Sequence, residues 1–337
     1  MTWLGLDIGG ANLKAADGRG WARSVSFSLW REPHHLPEEL AEFVASAPVS
    51  RRWAVTMTGE LCDCFRSKAE GVRAILSAVA KVAGERELRV YFVDGRFASV
   101  DEARERPHLA AASNWHALAR FAGRFTRGAE AMLLDVGSTT TDVIPLVDNH
   151  PAARGTNDTE RLLAGELVYT GVSRTPVCAV TRTLPWRGQP CPVAAELFAT
   201  TADAYVLLGE MAEQPAANWT ADGRPLTRLF ARERLARMVC ADAATFSDKD
   251  ARHASESVRD VQLAMLLSAV QQVAAGMTAV PQQFVISGAG EFLARRLVER
   301  HWPTGRVISL ADELGAEASA CAPAHALAVL ARETEAP

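Results

Sequence analysis

A strand-turn-strand motif that occurs twice limits what this chain can fold into more than any other feature. The first copy is Leu4-Gly5-Leu6-Asp7-Ile8-Gly9-Gly10-Ala11-Asn12-Leu13-Lys14-Ala15-Ala16; the second is Leu133-Leu134-Asp135-Val136-Gly137-Ser138-Thr139-Thr140-Thr141-Asp142-Val143-Ile144. Each is an apolar strand ending in Asp, a Gly-led turn with small polar residues, and a returning strand. Such turns aim backbone N–H groups and hydroxyls at phosphate oxygens. Two copies predict two related lobes whose loops face each other across a cleft. At 337 residues the chain exceeds the roughly 250–300 at which a single core stops growing, so two domains fit.

The rest of the pattern supports a duplication. Strands are predicted over 3–8, 13–16 and 22–29, a helix over 37–44, a strand over 53–57, a helix over 67–83, a strand over 88–93 and a helix over 113–125. Pro37 suits a helix's first turn, and Val72, Ile75, Leu76, Val79 and Val82 carry helical spacing. From Ala131 the order restarts, with a third strand over 166–170, a strand over 283–286, a helix over 291–300, a strand over 306–310 and a helix over 321–331. A Pro-, Arg- and Cys-rich stretch over 176–192 and helices over 192–209, 226–240 and 258–277 interrupt it. The expected fold class is α/β, with two duplicated domains facing a central cleft. The first spans 1–127 and the second 128–337, with a helical insertion over about 176–280.

Net charge is -4, so neither nucleic acid nor a membrane is an expected partner. Apolar runs are of strand length, short of the roughly 20 residues a bilayer span needs. Met1-Thr2-Trp3 leads straight into the first strand, with no secretory signal in view. Cys62 and Cys64 are two apart, but no second pair completes a zinc set. Reduced thiols and a cytoplasmic location are expected. Small-molecule substrates are the expected partners, and the chain is open to pairing as a homodimer.

Asp7 and Asp135 each stand where an apolar strand meets a Gly-led turn, placed to hold Mg²⁺ across the cleft directly or through water. One such Asp is as readily a turn cap; the matched pair points to function. Gly9, Gly10 and Gly137 let the backbone approach a phosphate, and Asn12, Ser138, Thr139 and Thr140 add neutral donors. Lys14 either reaches a phosphate as a mobile point charge or is a solvated strand residue. Asp142 either orients a nucleophile or bonds the loop hydroxyls. Glu60, in Thr58-Gly59-Glu60 after the fourth strand, is either a general base or an acid at a helix start. Arg66, Lys68 and Asn114 are placed near the same cleft, and His116 reads as structural. Ser287, Gly288 and Gly290 lie between a strand and a helix, where N–H groups and the helix dipole favour anions. Arg161, Arg174 and Arg182 add charge that suits phosphate or the plain surface equally.

These motifs resemble those of the actin/hexokinase superfamily of duplicated ribonuclease H-like domains. Leu6-Asp7-Ile8-Gly9-Gly10 looks like its first phosphate motif, Leu134-Asp135-Val136-Gly137-Ser138-Thr139-Thr140 like its second, and Ile286-Ser287-Gly288-Ala289-Gly290 like its adenosine motif. Within it the chain is similar to the hydantoinase/oxoprolinase-like branch found with tetrahydromethanopterin-linked one-carbon genes. The cues add Met57-Thr58-Gly59-Glu60-Leu61, Ala112-Ser113-Asn114-Trp115 and Gly165-Glu166-Leu167-Val168-Tyr169-Thr170-Gly171. The resemblance implies a Mg²⁺-dependent transferase of methanofuran or methylofuran biosynthesis. It would join an aminomethylfuran-methyl diphosphate to the phenol oxygen of a glutamyltyramine and release pyrophosphate. Asp7, Glu60 and Asp142 would then be catalytic. Ser287, Gly288, Gly290 and Asn114 would serve a nucleotide or the second substrate. Ala11 stands where the kinases carry Thr, and Ser138 where a second Gly is frequent, so ordinary phosphotransfer is not implied. The alternatives are an ATP-dependent small-molecule kinase or lactam-opening hydrolase, binding ATP or ADP, and a non-enzymatic nucleotide sensor.

Overall fold

The computed structural model describes residues 2–128 and 130–334. The first sheet contains β1 (Trp3–Ile8), β2 (Asn12–Ala16), β3 (Ala22–Ser26), β4 (Arg52–Met57), β5 (Glu87–Tyr91) and β6 (Phe97–Ala98), in the order β3-β2-β1-β4-β5-β6. The second contains β7 (Ala131–Val136), β8 (Thr141–Val147), β9 (His150–Pro151) and β10 (Leu167–Val168). After the hairpin β11 (Thr183–Trp186) and β12 (Gln189–Pro192), it closes with β13 (Gln283–Ser287) and β14 (Arg306–Ser309). Its order is β10-β8-β7-β13-β14. In each sheet the first strand pairs antiparallel with the second and parallel with the fourth. The lobes therefore share one topology, the five-strand order 3-2-1-4-5 of ribonuclease H-like domains.

The registers align the lobes residue by residue. Asp7 lies opposite Lys14 in one ladder and Asp135 opposite Asp142 in the other. Gly9 N–H donates to Asn12 O at 3.0 Å, and Gly137 N–H to Thr140 O at 2.8 Å, so the two four-residue turns close alike.

Strand alternation decides what covers each face. Leu4, Leu6 and Ile8 point to helices Leu36–Ala45 and Lys68–Ala83, through Leu40, Phe43, Val72, Ile75 and Val79. Trp3 and Ala54, on the other face, meet Leu327, Ala328 and Leu330 of helix Ala322–Glu333. A Cβ on Gly5 would stand 1.9 Å from Ala324 O, so only glycine lets that helix lie on β1. In the second sheet Met132, Leu134 and Val136 pack under helices Asp248–Ala274 and Glu291–His301. Leu133, Ile144 and Leu146 meet Trp115, Leu118 and Ala122 of helix Asn114–Ala122. Each half thus lends its last helix to the other half's sheet.

The stretch over 176–192 is largely the β11–β12 hairpin, whose turn residues Arg187 and Gly188 take φ of 51° and 79°. The helix expected over 192–209 is confined to Thr201–Leu208, starting at a Thr200–Asp203 capping box. With helices Arg228–Arg237 and Asp248–Ala274 these elements build a satellite core around Leu207, Leu235, Met238 and Phe246. Among the described residues no helix is long and apolar enough to cross a membrane.

Candidate active site in the interlobe cleft

The two Gly-led turns project from the carboxyl ends of β1 and β7, where ligands sit in open α/β sheets. Between them lies a cavity of about 560 Å³. Asp7, Glu60, Asn114, Asp135 and Asp142 line it, as do all eight residues expected to bind phosphate: Gly9, Gly10, Asn12, Lys14, Gly137, Ser138, Thr139 and Thr140.

Each turn is braced from its own lobe. Phe27 N–H and Leu29 N–H reach Ala11 O and Gly10 O; Ser173 N–H and Arg174 N–H reach Ser138 O. Gly171 packs so closely behind the second turn that a Cβ would stand 2.5 Å from Thr139 N.

Carboxylates dominate the electrostatics. Burial pushes Asp7 up to about 6, against Lys14, and Asp142 adds to the rise. Asp135 is also pushed up to about 6, first by burial and then by Asp142, while a hydrogen bond from Ser287 Oγ at 2.6 Å opposes the shift. Asp7 Oδ1 is buried without a hydrogen-bond partner. An orphaned carboxylate oxygen, and acids that raise one another, fit a cation between the lobes. Among the described residues no cluster of three or more His, Cys, Asp or Glu forms a full ligand set. A pair of carboxylates suits Mg²⁺, which keeps several waters and takes one or two protein oxygens.

Glu60 and Asp142, both candidate bases, sit in different settings. Glu60 is 1% exposed, its Oε2 has no partner, and burial pushes it up to about 8. The first turn of helix Lys68–Ala83 holds it, since a Cβ on Gly71 would stand 2.3 Å from Glu60 O. Burial raises Asp142 too, but the buried Arg161 guanidinium opposes this, donating to Oδ1 at 2.5 Å. Arg161 also stacks over Trp115 at 4.2 Å and lies 3.9 Å from Asp158. An acid so paired is committed to its partner, which leaves Glu60 as the one of the two with an unpaired oxygen.

Other expected residues fall elsewhere. Ser287, Gly288 and Gly290 do not line the cavity; they brace β7 from behind. Ser287 holds Asp135, and Gly288, at φ 89°, lies where a Cβ would be 2.4 Å from Val136 O. Gly290 N–H bonds Val136 O, and a Cβ there would strike Val136 and Val172. That glycine-rich turn is shaped by packing within the second lobe. Lys68 bridges the lobes through Asp158 at 2.7 Å, whereas Arg66 is exposed and Arg182 lies outside the lining. His116 is structural: it bonds Tyr91 Oη at 3.0 Å, and burial holds it down at about 4.

Sequence reasoning missed the apolar wall. Trp30, Leu61, Cys62, Leu167 and Tyr169 line the cavity, and Arg174 stacks over Trp30 at 4.4 Å. Trp30 belongs to no motif read from the sequence, and Leu61, Leu167 and Tyr169 stand there only as family cues, not as site residues.

The hydantoinase/oxoprolinase description matches residues 51–333. The chain belongs to the hydantoinase/oxoprolinase family. It is 31% identical over 330 residues to a Methanocaldococcus jannaschii protein named (4-{4-[2-(gamma-L-glutamylamino)ethyl]phenoxymethyl}furan-2-yl)methanamine synthase, covering 97% of this chain and 96% of that one. A Methanococcus vannielii protein of the same name is 27% identical over 201 residues, covering 59% of this chain and 89% of that one. Among solved structures, the PilM-PilN type IV pilus biogenesis complex matches with a TM-score of 0.50 and 14% identity, covering 100% of this chain and 99% of that one, a likeness of fold alone. Within the hydantoinase/oxoprolinase family, then, this chain carries a carboxylate-rich cleft with an aromatic wall.

Proposed function

We propose that this chain is a transferase of methanofuran-type cofactor assembly. It forms an aryl ether between an aminomethylfuran-methyl diphosphate and the phenol of a glutamyltyramine. The observation that carries this reading is the near-full-length match to a synthase whose name describes a phenoxymethyl-furan product. The cleft supports it with two phosphate-type loops, buried carboxylate oxygens of Asp7 and Glu60 that lack partners, and an aromatic wall in one cavity.

Asp7 and Asp135 would hold Mg²⁺, which when bound neutralises charge on a diphosphate. Turn N–H groups, the hydroxyls of Ser138, Thr139 and Thr140, and Lys14 hold the diphosphate oxygens. In the reaction the furan-methylene carbon–oxygen bond breaks and the pyrophosphate leaves with the electron pair. Donors placed where that charge develops stabilise the transition state. The phenol oxygen bonds to the methylene carbon, and its proton passes to Glu60. A phenol's pKa is near 10, so a carboxylate pushed up to about 8 is a far better matched base than an ordinary one. Arg161, stacked on Trp115, holds Asp142 in place beside the site. Six free cysteines are in keeping with a cytoplasmic location.

The test combines purified protein, Mg²⁺, the furan diphosphate and γ-glutamyltyramine, without ATP, read by mass spectrometry and a pyrophosphate assay. Ether and pyrophosphate in equal amounts support the transferase. Turnover only after ATP is added would replace it with an ATP-dependent kinase or hydrolase.

A further inference from the structure

The cations around the cleft are not equivalent. Arg161 is bound to Asp142 and lies near Asp158, and Lys68 is bound to Asp158. Lys14 stands opposite Asp7 in the β-ladder and acts on Asp7, Asp135 and Asp142. Arg174 differs: it lines the cavity, half-buried, and makes no salt bridge among the described residues. Its contact is the face of Trp30. Burial lowers its pKa, and the groups that act on it are Tyr169 and Cys62 on the apolar wall.

The position follows from the duplication. Trp30 comes directly after Leu29, whose N–H bonds Gly10 O, and Arg174 N–H bonds Ser138 O. The two residues thus flank corresponding turns of the two lobes and meet across the cleft mouth. A guanidinium that is stacked, half-desolvated and without a carboxylate is set up to receive one. Its planar fork matches a carboxylate in two parallel hydrogen bonds, and stacking fixes the fork beforehand. Leu61 and Tyr169, 55% and 61% exposed, lie in the same wall and offer apolar surface to a phenyl ring.

We propose that Arg174, held by Trp30, anchors the free carboxylate at the tail of the aromatic acceptor. Arg174 is then the residue that selects an acceptor bearing a free carboxylate over one without it. This rests on the transferase reading: a glutamyl group linked through its side chain keeps an α-carboxylate at the far end from the phenol. The phenol points inward to Glu60 and the carboxylate outward to the mouth. The diphosphate stays with the turns and Lys14.

Titration calorimetry on the full-length protein tests this without turnover. The probes are γ-glutamyltyramine, N-(4-aminobutanoyl)tyramine, which keeps the phenol, amide and ammonium but lacks the carboxylate, and inorganic pyrophosphate with Mg²⁺. Wild type is expected to favour γ-glutamyltyramine by about 10- to 100-fold, the scale of a charge-assisted bidentate contact. In Arg174→Gln that preference collapses, and Arg174→Lys recovers part of it. Trp30→Leu weakens it by loosening the guanidinium. Two results would overturn the proposal: a wild type that does not discriminate between the phenols, or an Arg174→Gln variant that loses pyrophosphate affinity instead. Discrimination without ether or pyrophosphate formation would sink the transferase reading and leave the carboxylate-anchoring site standing.

Discussion

Glu60 and the two turn aspartates are costly to bury, and that cost is a sign of function. If Glu60 is the base, kcat/KM rises about tenfold per pH unit below about 8 and levels off above it. Glu60→Gln should lower kcat by about 10²- to 10⁴-fold and remove that rise; an unchanged pH profile in the variant would assign the base elsewhere. Asp7 and Asp135 have a linked signature. Their folded pKa values of about 6 exceed the ordinary value of 3.8, so the folded state binds more protons than the unfolded state between these limits. Stability is greatest below the lower value and falls as pH rises through about 6. Asp7→Asn or Asp135→Asn should therefore raise the melting temperature at pH 8, by on the order of 1 kcal/mol or more of stability, while lowering activity at least about 10²-fold. Wild-type activity with an unmoved melting temperature would remove the paired-carboxylate account.

At the scale of elements, the turns depend on what stands behind them. The second turn is backed by Gly171, with no room between it and the Ser138–Thr139 peptide. Gly171→Ala must displace that peptide, and a shift of about 1 Å can cost on the order of 10²-fold in a positioned reaction. Weaker Mg²⁺-pyrophosphate binding with an unchanged far-UV spectrum is the expected outcome, read by calorimetry and circular dichroism. Wild-type affinity would show that the turn does not hold the phosphates. The short Lys68–Asp158 bridge joins a first-lobe helix start to a second-lobe one, spanning the cleft beside Glu60.

At the scale of the molecule, the two sheets are tied together by exchanged helices. Helix Ala322–Glu333 comes last in the chain and lies on the first sheet, where β1 carries Asp7. Gly5→Ala would force Ala324 O away from β1, lifting that helix at its closest approach. A loss of about 3 kcal/mol or more is expected, by analogy with overpacked cores and broken backbone contacts. Urea melts and limited proteolysis at the C-terminal helix would detect it. A variant as stable as wild type would mean that the helix can slide.

The duplication was legible in the sequence because a two-residue alternation and a Gly-led turn are local patterns. Asp7 and Asp135, each with its Gly-led turn, could be read from residues a few positions apart. Glu60 was visible as a candidate, but its competition with Asp142 was not decided until burial left one oxygen of Glu60 without a partner and paired Asp142 with Arg161. The glycine-rich stretch at Ser287–Gly290 had the composition of a ligand loop; close packing against Val136 gave it a supporting role. The aromatic wall and the Trp30–Arg174 stack join residues far apart in the chain, and no local period encodes such a contact. Local pattern determined the strands, turns and repeated motif. Long-range packing and desolvation, which exist only once the lobes close on each other, decided which charges remain free to act.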